Sequence, residues 1–133
     1  MEQRLHIMVI DDENIVGRRL KPALEKGGDI VETFEDARTA LKRFDERPFD
    51  IVVTDIRMDD VDGLEVLEQV LARSKRTRVV LITGYATVEV AREALAKGAF
   101  DFVAKPFKPA DLRAIIERAA RALREEAAGA TRT

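Results

Sequence analysis

The chain has no cysteine. That excludes a disulfide framework, a thiolate zinc site and a cysteine nucleophile. Its one histidine, His6, excludes any metal site needing two imidazoles, and a histidine-based triad would have to be built on the first strand. His6 reads as a side chain of that strand. An excess of one charge sign is missing too, with 23 basic against 25 acidic residues. A sequence-blind nucleic-acid binder depends on a net basic surface. No apolar stretch approaches the roughly 20 residues that span a bilayer, and the amino terminus has no signal-peptide core. The expectation is a soluble, cytoplasmic protein with no direct contact to nucleic acid or membrane. At 133 residues it is expected to fold as one domain around its own core, without staples.

What the chain does have is a set of short apolar runs that stop abruptly on polar residues. Ile7-Met8-Val9-Ile10 stops at Asp11-Asp12, Ile51-Val52-Val53-Thr54 at Asp55, Val79-Val80-Leu81-Ile82 at Thr83, and Phe102-Val103-Ala104 at Lys105-Pro106. Residues 5–10 read as a first strand and 30–34 as a shorter second one, with a fifth at 100–104. Between the strands lie stretches with apolar residues at helical spacing. A first helix over 14–26 carries Ile15, Val16, Leu20, Ala23 and Leu24 inward, with Pro22 bending it, and Gly27-Gly28 stops it. Ala37, Ala40, Leu41 and Phe44 mark the second helix, and Leu64, Leu67, Val70 and Leu71 the third. Val88, Ala91 and Leu95 mark the fourth, which Thr87 can cap. Leu112, Ile115, Ile116, Ala119 and Leu123 mark the fifth. Residues 1–126 are thus expected to form the domain, and 127–133 a flexible tail or a truncated linker.

Five βα units with short, right-handed connections predict an α/β fold, a doubly wound five-stranded parallel sheet of strand order 2-1-3-4-5. Such sheets bind ligands at the carboxyl ends of their strands. Asp11, Asp12 and Asp55 then meet at the switch point, with Thr83 and Lys105 on the next two strands. Three carboxylates in one crevice repel one another unless a cation intervenes. Oxygen-only ligands, few of them from protein, describe Mg²⁺ (or Mn²⁺) shared with phosphate oxygens. Asp12 and Asp55 can ligate directly, Asp11 through water, and Arg57 through its backbone carbonyl. Lys105 and Thr83 can hold a phosphoryl group. A carboxylate so placed can accept that group as an acyl phosphate. Each piece alone has a plainer explanation: a turn, a helix cap, a strand threonine or a solvated lysine. Four strand ends with complementary groups favour a site.

The sequence Val9-Ile10-Asp11-Asp12-Glu13, then Asp55-Ile56-Arg57-Met58 with Asp62-Gly63, then Ile82-Thr83-Gly84, then Gly98 to Phe102 and Lys105-Pro106-Phe107, resembles a response-regulator receiver domain. The likeness runs over about residues 4–125. It is strongest to receivers of transcription activators with a central ATPase domain. It implies a flavodoxin-like fold and a phosphoryl group taken by Asp55 from a histidine kinase or phosphotransfer protein. It further implies a cis bond before Pro106 and a switch in which Phe102 follows Thr83. The fourth helix, fifth strand and fifth helix would then present the output or homodimer face. The protein would be a regulatory phosphoacceptor and no multi-turnover enzyme.

Asp59 stands where receivers of this type usually carry proline, which removes a fixed φ and adds a carboxylate. Arg57 and Tyr85, two residues beyond Asp55 and Thr83, are candidates with Asp59 for setting the lifetime of the phosphorylated form. Three other readings stand beside the main one. An aspartyl-phosphate phosphohydrolase would place two acids two residues apart after the first strand, whereas Asp11 and Asp12 are adjacent. A nucleotide- or flavin-binding module would need a phosphate-binding first loop, and Asp11-Asp12-Glu13 repels phosphate. A receiver-like interaction module that is never phosphorylated is supported only by Asp59.

Overall fold

Each apolar run forms a strand, and each amphipathic stretch a helix. The computed structural model describes residues 4–57, 62–84 and 88–131. Along the chain these form β1 (His6–Ile10), α1 (Asn14–Glu25), β2 (Ile30–Phe34), α2 (Ala37–Glu46) and β3 (Ile51–Asp55). There follow α3 (Gly63–Arg73), β4 (Arg78–Thr83), α4 (Val88–Ala96), β5 (Asp101–Ala104) and α5 (Pro109–Thr131). The sheet has five strands in the order β2-β1-β3-β4-β5, all neighbouring pairs parallel. This is the doubly wound, flavodoxin-like α/β fold.

Period-two alternation divides the strands between two cores. Ile7, Val9, Ile51, Val53, Val80, Ile82 and Val103 pack with Leu20 and Leu24 of α1 and Leu112, Ile116 and Leu123 of α5. Met8, Ile10, Val52, Val79 and Leu81 face the other way, onto Phe44 of α2, Leu67 and Val70 of α3, and Ala91 and Ala94 of α4. Burial on both faces is why the strands read as unbroken apolar runs.

The helix faces depart from expectation at their margins. Ile15 and Leu95, read as inward, are 63% and 38% exposed. Ala23 is only half-buried, while Val66 and Ala94, not singled out by spacing, are fully buried. A helix shows the core a stripe little more than 100° wide, so residues at its edge turn outward when the neighbouring helix lies further off. The side chain of Val88 and the proposed cap Thr87 lie outside the described residues. α1 continues through Pro22, which stands on its exposed side. α5 runs on to Thr131, through residues assigned from the sequence to the tail.

Asp62 caps α3, its Oδ1 accepting from the Glu65 N–H at 2.9 Å. Gly63 then brings that helix against the end of β3. A Cβ at position 63 would stand 2.7 Å from both the Asp55 carbonyl oxygen and the Ile56 Cα, and the Gly63 N–H donates to Ile56 O at 2.7 Å. Backbone cannot yield as a side chain tip can, so Gly63→Ala is expected to destabilise the fold by about 1–3 kcal/mol, read as a lower urea midpoint. An unchanged midpoint would contradict this packing.

Candidate functional site

Three strand ends deliver the reactive groups, and backbone bonds just past the strands hold them. The Asp11 N–H donates to Phe34 O at 3.0 Å, the Ile56 N–H to Ile82 O at 3.0 Å, and the Lys105 N–H to Thr83 O at 2.7 Å. The bond between Lys105 and Pro106 is cis, as the resemblance implied. Asp55 keeps the parity of Ile51 and Val53, so its carboxylate leans toward the α1 and α5 side.

There it meets Lys105. The Lys105 Nζ donates to Asp55 Oδ2 at 2.8 Å, and lies 3.9 Å from Asp11 Oδ2 and 3.8 Å from Glu13 Oε1. Asp55 Oδ1 accepts from the Arg57 N–H at 2.9 Å, and Asp11 Oδ1 from the Glu13 N–H at 2.8 Å. Asp11 and Asp55 are buried; Asp12, Glu13 and the Arg57 side chain are exposed. Asp11 Oδ2 is buried with no hydrogen-bond partner. Burial pushes the Asp11 carboxyl up to about 6, against the Glu13 N–H, which favours its charge; the Asp55 carboxylate pushes it further. Burial also works against the Lys105 charge, but the hydrogen bond and charge of Asp55, then Asp11 and Glu13, outweigh it and raise the amine's pKa.

Thr83 is buried, and its hydroxyl donates to the Gly84 carbonyl at 3.0 Å. Phe102, three residues before Lys105, is half-buried against the core that faces α2 to α4. Asp11, Asp55 and Lys105 therefore come together, with Asp12 at the rim and Thr83 on the adjoining strand. Asp59 and Tyr85 lie outside the described residues. Reading by strand ends missed two contributors. Glu13 adds a third negative group around Lys105, and Gly63 abuts the Asp55 carbonyl. The run of three acids at 11–13 was the available signal for the first; nothing in the spacing announced the second.

Among the described residues no three His, Cys, Asp or Glu side chains gather tightly enough to form a ready metal cluster. The donor set nonetheless fits a hard cation. It is all oxygen, Asp11 and Asp55 within it are buried, and Asp11 Oδ2 accepts no hydrogen bond. Among the described residues, Lys105 is the cation that bridges these acids.

The sheet order, with acids and a lysine meeting at its carboxyl edge, defines a doubly wound α/β protein with an acidic strand-end site. Residues 7–117 match the response regulator receiver domain family, and the chain belongs to it. It is a receiver domain of two-component systems. Regulatory protein AtoC of Escherichia coli is 42% identical over 113 residues, 85% of this chain and 24% of that protein. Transcriptional regulatory protein FixJ of Bradyrhizobium diazoefficiens is 37% identical over 121 residues, 91% of this chain and 59% of that one. Among solved structures, NtrX from Brucella abortus superposes with a TM-score of 0.91 at 29% identity, over 98% of this chain and 30% of that chain. A CheY-like receiver domain protein from Methanospirillum hungatei gives 0.87 at 27% identity, covering 93% and 99%. The chain thus spans about a quarter of AtoC and 59% of FixJ. The likeness to receivers of transcription activators holds as well. No helix among the described residues is long and apolar enough to cross a membrane.

The raised Asp11 pKa has a consequence for stability. Between its ordinary 3.8 and about 6 the folded protein holds a proton that the unfolded chain has lost. Stability from this group is therefore full below that window and falls as pH rises through it. Metal-free Asp11→Asn should gain stability relative to wild type between pH values of about 4 and 7, measured by urea unfolding at each pH. A difference that stays constant across the window would contradict a carboxyl whose pKa is raised by burial.

Proposed function

We propose that Asp55 is the phosphoacceptor of this receiver, with Asp11 and Asp12 as metal ligands and Lys105 and Thr83 as phosphoryl contacts. The observation that carries this reading is the 2.8 Å contact between Lys105 Nζ and Asp55 Oδ2 at the strand-end edge. Lys105 holds one oxygen of the Asp55 carboxylate in place, and the Arg57 N–H holds the other. A carboxylate oxygen of Asp55 attacks the phosphorus of a phosphohistidine on a kinase or phosphotransfer protein. The phosphorus–nitrogen bond breaks, and its electron pair stays on the ring nitrogen, which takes a proton. An acyl phosphate forms on Asp55. Mg²⁺ (or Mn²⁺), held by Asp11, Asp12, Asp55 and the Arg57 carbonyl, would supply neutralisation of the phosphoryl oxygens' charge.

The new dianion competes for Lys105 and draws the Thr83 hydroxyl away from the Gly84 carbonyl. Movement of Thr83 carries Gly84 with it, and Phe102 packs further inward. The surface of α4, β5 and α5, including Arg92 and Ala96, then changes shape for an output or a homodimer. A local charge event thereby biases a two-state element. Arg57, Asp59 and Tyr85 are the candidates for setting the lifetime of the phosphorylated form. Residues 1–126 are assigned to this domain and 127–133 to a tail or truncated linker. The chain carries no other reaction in this reading: it takes the group and loses it.

Incubation with Mg²⁺ and acetyl phosphate should add the mass of one phosphoryl group to the wild type and none to Asp55→Asn. Gel filtration of the same samples reads dimerisation. Absence of the adduct on wild type, with Mg²⁺ binding demonstrated, would overturn the reading.

A further inference from the structure

One residue before the phosphoacceptor stands a polar side chain that core packing does not call for. Thr54 is fully buried. Alternation turns it away from the Asp55 carboxylate, onto the side covered by α2 to α4. Its partners in register on the neighbouring strands are Ile10 and Leu81. Both belong to that apolar core, as does Val52 two residues back. Valine has nearly the shape of threonine and would suit these neighbours with no hydroxyl to bury. Taking a hydroxyl out of water is unfavourable unless it is hydrogen-bonded. That of Thr54 donates to the Asp55 carbonyl at 3.1 Å.

This bond completes a row of held backbone groups. After the Asp55 carbonyl, the Ile56 N–H donates to Ile82 O at 3.0 Å, and Ile56 O accepts from the Gly63 N–H at 2.7 Å. The Arg57 N–H then donates to Asp55 Oδ1 at 2.9 Å. Backbone groups hold Ile56 on both sides, and the last bond uses the Asp55 carboxylate itself. The bond from Thr54 is thus the one that a change of side chain can delete while leaving Asp55 in place. Rotation of the Asp55–Ile56 peptide would swing the next amides and pull the Arg57 N–H off Oδ1. We propose that Thr54 is a positioning residue for phosphoryl uptake. Its hydroxyl fixes this peptide plane, which keeps the Arg57 N–H on Oδ1 and the carboxylate at the angle from which an oxygen attacks phosphorus. Lying on the opposite face of the sheet, it touches no donor. The inference rests on Asp55 being the phosphoacceptor, and adds to it what aims the carboxylate. A misplacement of about 1 Å can cost on the order of a hundredfold in rate. With the other bonds still made, the loss expected here is smaller.

Two variants separate the hydroxyl from the packing. Thr54→Val keeps the shape and deletes the hydroxyl, whereas Thr54→Ser keeps the hydroxyl and loses the methyl. With acetyl phosphate and Mg²⁺, adduct formation followed by intact mass should be on the order of tenfold slower in Thr54→Val and close to wild type in Thr54→Ser. Stability should run the other way, with the lower urea midpoint in Thr54→Ser, where the missing methyl leaves a void. In the protein without metal or donor, the Arg57 amide should exchange its hydrogen faster in Thr54→Val than in either of the others. Uptake or Arg57 exchange at the wild-type level in Thr54→Val, or equal slowing of uptake in both variants, would overturn the positioning role alone. No adduct on wild type, with Mg²⁺ binding demonstrated, would instead overturn the assignment of Asp55.

Discussion

A parallel sheet covered by helices on both faces has no place for charge except where its strands end. Residues 7–10, 51–54 and 79–83 are essentially without solvent contact, and α1 and α5 on one side and α2 to α4 on the other leave no polar face. Everything that can react is therefore pushed to one edge. Strand order then decides which residues meet: β3 lies between β1 and β4, so Asp55 stands beside Asp11 and near Thr83, with Lys105 reaching in from β5. The same packing that stabilises the core concentrates the chemistry.

That concentration has an electrostatic cost. Asp11 and Asp55 are both buried, and Glu13 stands close by. Lys105 offsets part of the repulsion, yet Asp11 keeps one oxygen without a hydrogen bond and a raised pKa. A buried carboxylate without a full set of partners is destabilising in the absence of a cation and receptive to one. In this account the instability of the site and its competence are one property. The Asp55 backbone is meanwhile clamped, with Thr54 Oγ1 donating to its carbonyl at 3.1 Å and Gly63 too close to admit a Cβ. The carboxylate is thus presented from a rigid base into a strained electrostatic field.

Strands and site residues were legible because both follow from simple patterns. An apolar run ending in Asp, Thr or Lys states the strand and its terminus together. Helix margins were harder. Ile15 and Leu95 sit at helical spacing from buried neighbours, but periodicity carries no information on how far away the next helix lies. Local orientation was also hidden: Thr83 stands where expected, yet its hydroxyl bonds the Gly84 carbonyl. The role of Gly63 depends on a contact between α3 and β3 that no single-element pattern encodes.

The central claim is that one carboxylate, the one paired with Lys105, takes the phosphoryl group. Reductive mapping tests it most directly, because borohydride converts an aspartyl phosphate to homoserine while leaving free aspartate untouched. After exposure to a phosphodonor and Mg²⁺, peptide sequencing by mass spectrometry should place homoserine at position 55. Homoserine at position 11 or 12 instead, or label scattered among surface acids, would contradict the account.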